Sequence, residues 1–462
     1  MKKLLVVLMI GGIIFACNQN QDGVDGPVSG GPGTKFCDSG SGNVLCPYLP
    51  VDVDTNFSVG YDSYLDSSRQ PPFDQFSWQT FIALNWPANA SGQPIGNSIG
   101  DNPDSMRVWE YYMDPAQVFG GNTQELVLHM GTAKRENQKL FYMDSKSPEA
   151  LMPVKGFKEA DGHPLIDRNL NFALYEIKMN PTEVNFVTQH SLTTKAGIAA
   201  YAKAHDNRFE LPSSDSASGN PGTIEIKASW RILDHTKGDD TTRFYCRNAI
   251  IYIDSGHVVN HKPLVIRAKV GLVGMHIVRK TQKFDMMIWS TFEHIDNTPD
   301  DPQSAQMDTR KKWSFYNPEC LNCLPNDTPA FQQGDNKRYR WDSTPPWAKR
   351  YAVPAPSQPG DSFGTQVVRV YPVYKYTNRI NDAWRAQLRG TVWVNYRLIG
   401  SQWQSAETFP PPNAPALLAN ATLETYIQPT ASCITCHGDA KIKFGAATIP
   451  TDLSFIFPVY AK

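Results

Sequence analysis

Five residues near the end of the chain, Cys433-Ile434-Thr435-Cys436-His437, place two thiols and an imidazole on a single turn, and only the 25 residues from Gly438 to Lys462 follow them. That spacing suits one chemistry closely. Two thiols three apart form thioethers with the two vinyl groups of a haem, and the adjacent imidazole then reaches the iron. At the cysteine and histidine frequencies of this chain, such a motif arises by chance in roughly one chain of several hundred. The alternatives are a thioredoxin-like redox pair, which would want a βαβ context absent here, and half of a zinc site. The residues after His437 include no Met and no further His; the last Met is Met307 and the last other His is His294. So short a tail cannot enclose a haem, so it must lean on the upstream chain. The sixth iron position is then filled from that body, held weakly by a Lys or Tyr, or left open.

The opposite end carries an export signal. Met1-Lys2-Lys3 precedes an apolar run from Leu4 to Ala16, too short for a permanent span, with a small residue before Cys17. The stretch Ile14-Phe15-Ala16-Cys17 resembles a bacterial lipobox, in which the cysteine is acylated and becomes the new N-terminus. Residues 1–16 are accordingly expected to be a lipoprotein signal peptide, with lipidation at Cys17 and attachment to the membrane through its acyl chains. Asn18, rather than Asp, points to the outer membrane of a cell envelope, with the body on the periplasmic side; this also fits covalent haem attachment. Residues 17–60 are rich in Gly, Asp, Ser, Asn and Pro and are expected to be a tether. Basic and acidic residues balance at 44 and 45, and no local block of like charge departs from this, so no nucleic-acid partner is expected.

Residues 61–410 form the expected body and 411–462 the haem-attachment segment. Ile224, Ile226, Ala228, Trp230 and Ile232 alternate with Glu225, Lys227, Ser229 and Arg231, a pattern that predicts a strand with one face in a core and one in water. Further strands are expected over 243–253, 264–279, 286–295, 367–374 and 391–399. Helices are expected over 75–86 with Asp74 as cap, from Asn381 or Asp382 to Gly390, and over 416–427. Many long strands with a few helices define an α+β fold built on a largely antiparallel sheet.

The densest group of candidate distal residues lies in the apparent hairpin 270–279/286–297. His276 and His294 are candidates for a distal ligand or acid/base, with Glu293 and Asp296 as proton carriers. Core histidines are common in such strands, and which face each occupies depends on the register. Met275, Met286 and Met287 are expected to fill core. Gly271 and Gly274 inside a strand point to a bulge or to the close approach of a bulky neighbour such as a haem. Cys37 and Cys46 suit a local disulfide, and Cys320 and Cys323 suit a bond within their own loop, a bond from one of them to Cys246, an exposed redox pair or a zinc site; with Leu324 following, the second CxxC is no second haem site.

The tail 432–457, the segment 289–297 and the helix 76–87 together resemble a group of large bacterial proteins of the cytochrome c family, from about Asp74 to the end. The resemblance implies one covalent haem c on Cys433, Cys436 and His437, and brings no substrate. Three functions follow as expectations: a haem-dependent oxidoreductase of small, peroxide-type oxidants or its subunit, a closed six-coordinate electron carrier exchanging electrons with a periplasmic redox protein, and a haem-based sensing module. The size of the body favours an enzyme slightly.

Overall fold

A computed structural model describes residues 45–54, 70–120, 124–143, 156–159, 161–283, 287–307, 311–320, 323–354, 362–403 and 415–462. The expected signal peptide, Cys17 and most of the tether lie outside the described residues, as do Cys37 and Met286.

The fold is α+β, and its centre is one seven-stranded sheet. Strands β1 (Lys139–Met143), β2 (Leu174–Met179), β3 (Ile224–Ile232), β4 (Cys246–Ile253), β5 (Leu264–Arg279) and β6 (Ile288–His294) are joined by a last strand, Tyr396–Trp403. Pairing is antiparallel except between β1 and β4. β5 organises the sheet. One of its edges meets β3 from Val270 to Arg279, while the other meets β4 up to Gly271 and β6 from Gly274 onward. Where it changes partner the β3 register slips, leaving Val273 as an extra residue.

The two sheet faces bury different chemistry. On one side Ile224, Ile226, Ala228 and Trp230 pack with Met275, Ile277 and Phe292 under helix α1 (Gln70–Leu84) and the helix Lys375–Gln387. Phe81 stacks on Phe292 at 4.2 Å and Trp78 meets Phe292 edge-on at 5.1 Å; such pairs contribute about 0.5–1.5 kcal/mol each beyond the area they bury. The helix begins earlier than expected, with Pro71 and Pro72 in its first turn, where a missing N–H costs nothing. Asp74 is therefore not a cap but an interior residue. It accepts from Gln70 at 2.7 Å, Ser401 at 2.8 Å and Thr377 at 2.6 Å, and burial raises its pKa to about 6. Asn381 is likewise interior to its helix, where it accepts from the Trp78 indole at 3.0 Å.

The other face carries Glu225, Lys227, Ser229 and Arg231, expected to meet water. Instead Glu225, Ser229 and Arg231 are buried and Lys227 half-buried: the C-terminal segment covers Glu225, Lys227 and Ser229, with Glu183 of the helix Pro181–Gln189 beside Glu225, while Arg231 is enclosed by Asp167, Asp239 and Ser314. Residues 416–427 form turns rather than a helix. Asn420 explains part of this: its side chain accepts from the Thr422 amide two residues on and donates to Thr291 and the Phe292 carbonyl of β6, tying the stretch to the sheet through a local turn. The expected strand over 367–374 is irregular, and that over 391–399 begins as the 3-10 turn Val392–Asn395. At the other end of the described chain Leu49, Val51 and Val53 are buried, and Asp52 accepts from the Lys283 amide at 3.0 Å.

Candidate functional site

The polar sheet face and the C-terminal segment enclose a pocket of about 340 Å³, lined by both cysteines and the histidine of the Cys433–His437 turn. Ser432 caps that turn by accepting from the Thr435 amide, and Gln402 on the last sheet strand holds it by accepting from the Ile434 amide at 3.1 Å. Cys433 and Cys436 are free thiols, half-buried and exposed respectively. Among the described residues no group of three or more His, Cys, Asp or Glu is arranged to hold a metal ion.

Beyond the turn, the hairpin Lys441–Phe444/Ala447–Pro450 reverses over Gly445 at φ +58° and leads to Asp452 and Leu453, at φ +51° and +65°. Non-glycine residues adopt this left-handed conformation at a cost of order 1–3 kcal/mol each where the surroundings impose it. Here they aim the Leu453 carbonyl at His437, whose Nδ1 donates to it at 2.6 Å. A carbonyl only accepts, so the proton sits on Nδ1 and the Nε2 lone pair is free. Burial lowers the His437 pKa to about 4, and the ring is neutral near pH 7.

Across the pocket stand side chains that alternate along β2, β3, β5 and β6. Ile177, Lys227 and His276 are opposite one another in register, as are Glu225, Val278 and Trp289. Trp289 contacts the His437 ring at 5.8 Å, and Phe455 meets that ring from the tail at 5.2 Å. His276 Nε2 lies 3.3 Å from Glu424 Oε2. Burial pushes the Glu424 carboxyl up, but His276 and Lys227 more than offset this and hold it below the usual range. Burial lowers the affinity of Lys227 for its proton. The wall facing the two thiols is thus a compact set of proton-bearing groups in largely apolar surroundings.

The register separates the two candidate histidines. His276 shares the pocket face; His294 is on the other. There its Nε2 donates to the Arg243 carbonyl at 2.9 Å, its Nδ1 accepts from the Asp296 amide, and its ring stacks on Phe244 at 3.9 Å. Burial lowers its pKa to about 4. Glu293 is on the pocket side but farther along β6, outside the lining, where it pairs with Arg369 and accepts from the Ala421 amide at 2.6 Å. Its partners tie the 420–432 turns to the sheet. Asp296 pairs with Arg243 and Lys311. Met275 and Met287 fill core. Gly271 and Gly274 are closely approached, but by Leu233 and Phe244 and by Thr422, Ser229 and Asn420, all of them protein side chains. Cys320 is bonded to Cys323, and Cys246 is free, its thiol donating to the Thr241 carbonyl; Cys46 is disulfide-bonded.

Glu225, Lys227 and Glu424 were missed by sequence reasoning. For the first two the signal was present, as the polar half of an alternating strand, but alternation alone does not tell a solvated face from a face covered by a distant segment. No protein-family model matches the chain, and no curated protein or solved structure matches it either.

Proposed function

We propose that this pocket holds one haem c, joined by thioethers to Cys433 and Cys436 with His437 Nε2 on the iron, and that the protein is a cell-envelope oxidoreductase of small oxidants. The observation that carries the reading is the pairing of the thiol-bearing turn with His276 and Glu424 across one largely apolar pocket. Three features of the residues fit the group. The two thiols are unbonded and line the same cavity as the histidine; His437 is neutral with its Nδ1 proton already engaged, which leaves the nitrogen that iron needs; and Ile177, Val278, Trp289, Phe455 and Ile456 supply an apolar wall. The resemblance to the cytochrome c family supports the same cofactor, and the lipobox-like Cys17 supports an anchored, exported protein.

A bound haem supplies one-electron redox chemistry. The chain supplies the rest. His276 Nε2 is engaged by Glu424, so that nitrogen is set up to hold or pass a proton rather than to donate a lone pair to iron. Lys227 beside it adds a second proton-bearing group. A carrier reading has one observation in its favour: Cys436 is exposed and Phe455 partly so, which puts the thioether edge near the surface where a partner protein docks.

The test is expression of the full chain with haem-attachment machinery, followed by intact mass and reduced spectra with and without carbon monoxide. Covalent haem that is lost in Cys433→Ser/Cys436→Ser, with fast carbon monoxide binding, is expected. A missing Soret band with both cysteines intact overturns the haem reading; haem that refuses carbon monoxide overturns the enzyme form in favour of a closed carrier.

A further inference from the structure

Glu183 and Glu225 form a second acidic feature beside this pocket that the reading above does not use. Glu183, in the helix Pro181–Gln189, is 0% exposed, and neither of its carboxyl oxygens meets a donor. Glu225, on β3, is 8% exposed; it lines the pocket, and its Oε1 also lacks a donor. Two ionised carboxylates side by side without donors would each bear the full cost of desolvation and repel one another. Sharing a proton removes both penalties, since a protonated carboxyl donates to its neighbour.

The remaining charges round the pair do not replace that proton. Asp452 of the tail faces Glu225 as a like charge, and its partner Lys280, at the end of β5, is already committed to it. β2 places Met179 opposite Glu225, and its nearest cation, Lys178, lies 3.7 Å from Glu176. Along the pocket floor stand Lys227 of the same strand and His276 of β5, the latter bound to Glu424, while His437 is neutral. Ser454 is the neighbour from the tail that supports the Glu225 carboxyl. Burial raises the proton affinity of both acids, that of Glu225 to a pKa of about 7 and that of Glu183 well above the usual carboxyl value.

We infer that Glu183 and Glu225 share a proton at the wall of the pocket, and that the pair takes up a second proton from solvent when the pocket gains an electron and releases it when the electron leaves. The inference rests on the haem reading for its redox partner, but the shared proton itself does not. In the forward direction one electron from an external one-electron donor reduces the bound haem iron, the donor is oxidised by one electron, and one proton from water joins the carboxyl pair; the pocket keeps its net charge. A negative increment close to the pair raises its proton affinity, so uptake on reduction is the required sign. Glu225 faces the pocket and is the member through which the charge change is felt; Glu183 is the enclosed partner.

Two measurements test this. In a mediated redox titration of the holoprotein between pH 5.5 and 8.5, the midpoint potential should fall with rising pH around neutrality, approaching one proton per electron, and Glu225→Gln should flatten that fall. A flat wild-type profile, or a slope that survives in Glu225→Gln, overturns the coupling. Separately, infrared difference spectra between Glu183→Gln and the parent protein at pH 7 should show the loss of a protonated-carboxyl stretch. That band is read with or without haem, so a missing Soret band sinks only the cofactor reading, while a missing band overturns the shared proton. Gln at either position preserves shape and supplies its own donor, so both variants should fold.

Discussion

His437 Nδ1 donates to the Leu453 carbonyl at 2.6 Å across a left-handed turn that Asp452 pins in place. Asp452 Oδ2 accepts from the Leu211 amide at 2.7 Å and pairs with Lys280, whose side chain is almost wholly buried. The orientation of the candidate iron ligand therefore depends on an ion pair belonging to the body. Asp452→Ala leaves the Lys280 ammonium buried without its partner, a change that costs about 3–5 kcal/mol where buried pairs are broken. Urea unfolding should show that loss, and the His437 ring should lose its fixed tautomer in nitrogen NMR. Normal stability in Asp452→Ala would mean that the turn holds itself.

His276 faces the two thiols and is tied to Glu424, which suits it to move a proton in the pocket. Removing a positioned acid/base costs roughly 10²–10⁴-fold in rate. His276→Ala should lower peroxide reduction by that order while leaving covalent haem content unchanged, and Glu424→Gln should fall between. Stopped-flow rates with hydrogen peroxide check both. A His276→Ala protein as fast as the parent excludes the acid/base role.

His294 is one source of pH dependence in the core. Its pKa in the fold is about 4, against an ordinary value of 6.5, because burial disfavours the cation. The unfolded chain therefore binds the extra proton first. Its contribution is fully present above pH 6.5 and is lost as pH falls from there to about 4, amounting to about 3 kcal/mol for a shift of this size. Unfolding free energies measured across that window should drop less steeply in His294→Gln than in the parent. Identical slopes would show that His294 is not held neutral.

Much of this architecture is written locally. The alternation over Ile224–Ile232 and the apolar length of Leu264–Arg279 give strands with the observed ends, because their propensity and burial agree. What the sequence could not show is the long-range part. Whether Lys227 and Glu225 meet water or a pocket depends on a segment some two hundred residues later folding back over them. Whether His276 or His294 faces that pocket depends on a register that only the sheet fixes, through His276 opposite Thr291 and His294 opposite Tyr396. Glu293 shows the same limit from the other side: its acidity and position read as catalytic, yet Arg369 and the Ala421 amide use it to fasten the covering segment. That Cys433, Cys436 and His437 share one turn was legible because the arrangement is local to five residues.

At Gly274 the covering segment lies close against the sheet. A Cβ there would lie 2.3 Å from Thr422 Oγ1, 2.5 Å from Ser229 Oγ and 3.0 Å from Asn420 Oδ1. The two hydroxyls are bonded to each other at 2.7 Å, and Asn420 is anchored on Thr291 and the Phe292 carbonyl, so none of the three can turn away without giving up a buried bond. Gly274→Ala must therefore lift the 420–424 turns, and with them Glu424, away from β5. Overpacking of this kind costs about 1–3 kcal/mol. The expected result is a lower unfolding midpoint together with a weakened contact between His276 and Glu424, read as a change in the His276 ring nitrogen chemical shifts towards those of Glu424→Gln. An alanine variant with both quantities unchanged would show that the segment does not rest on Gly274.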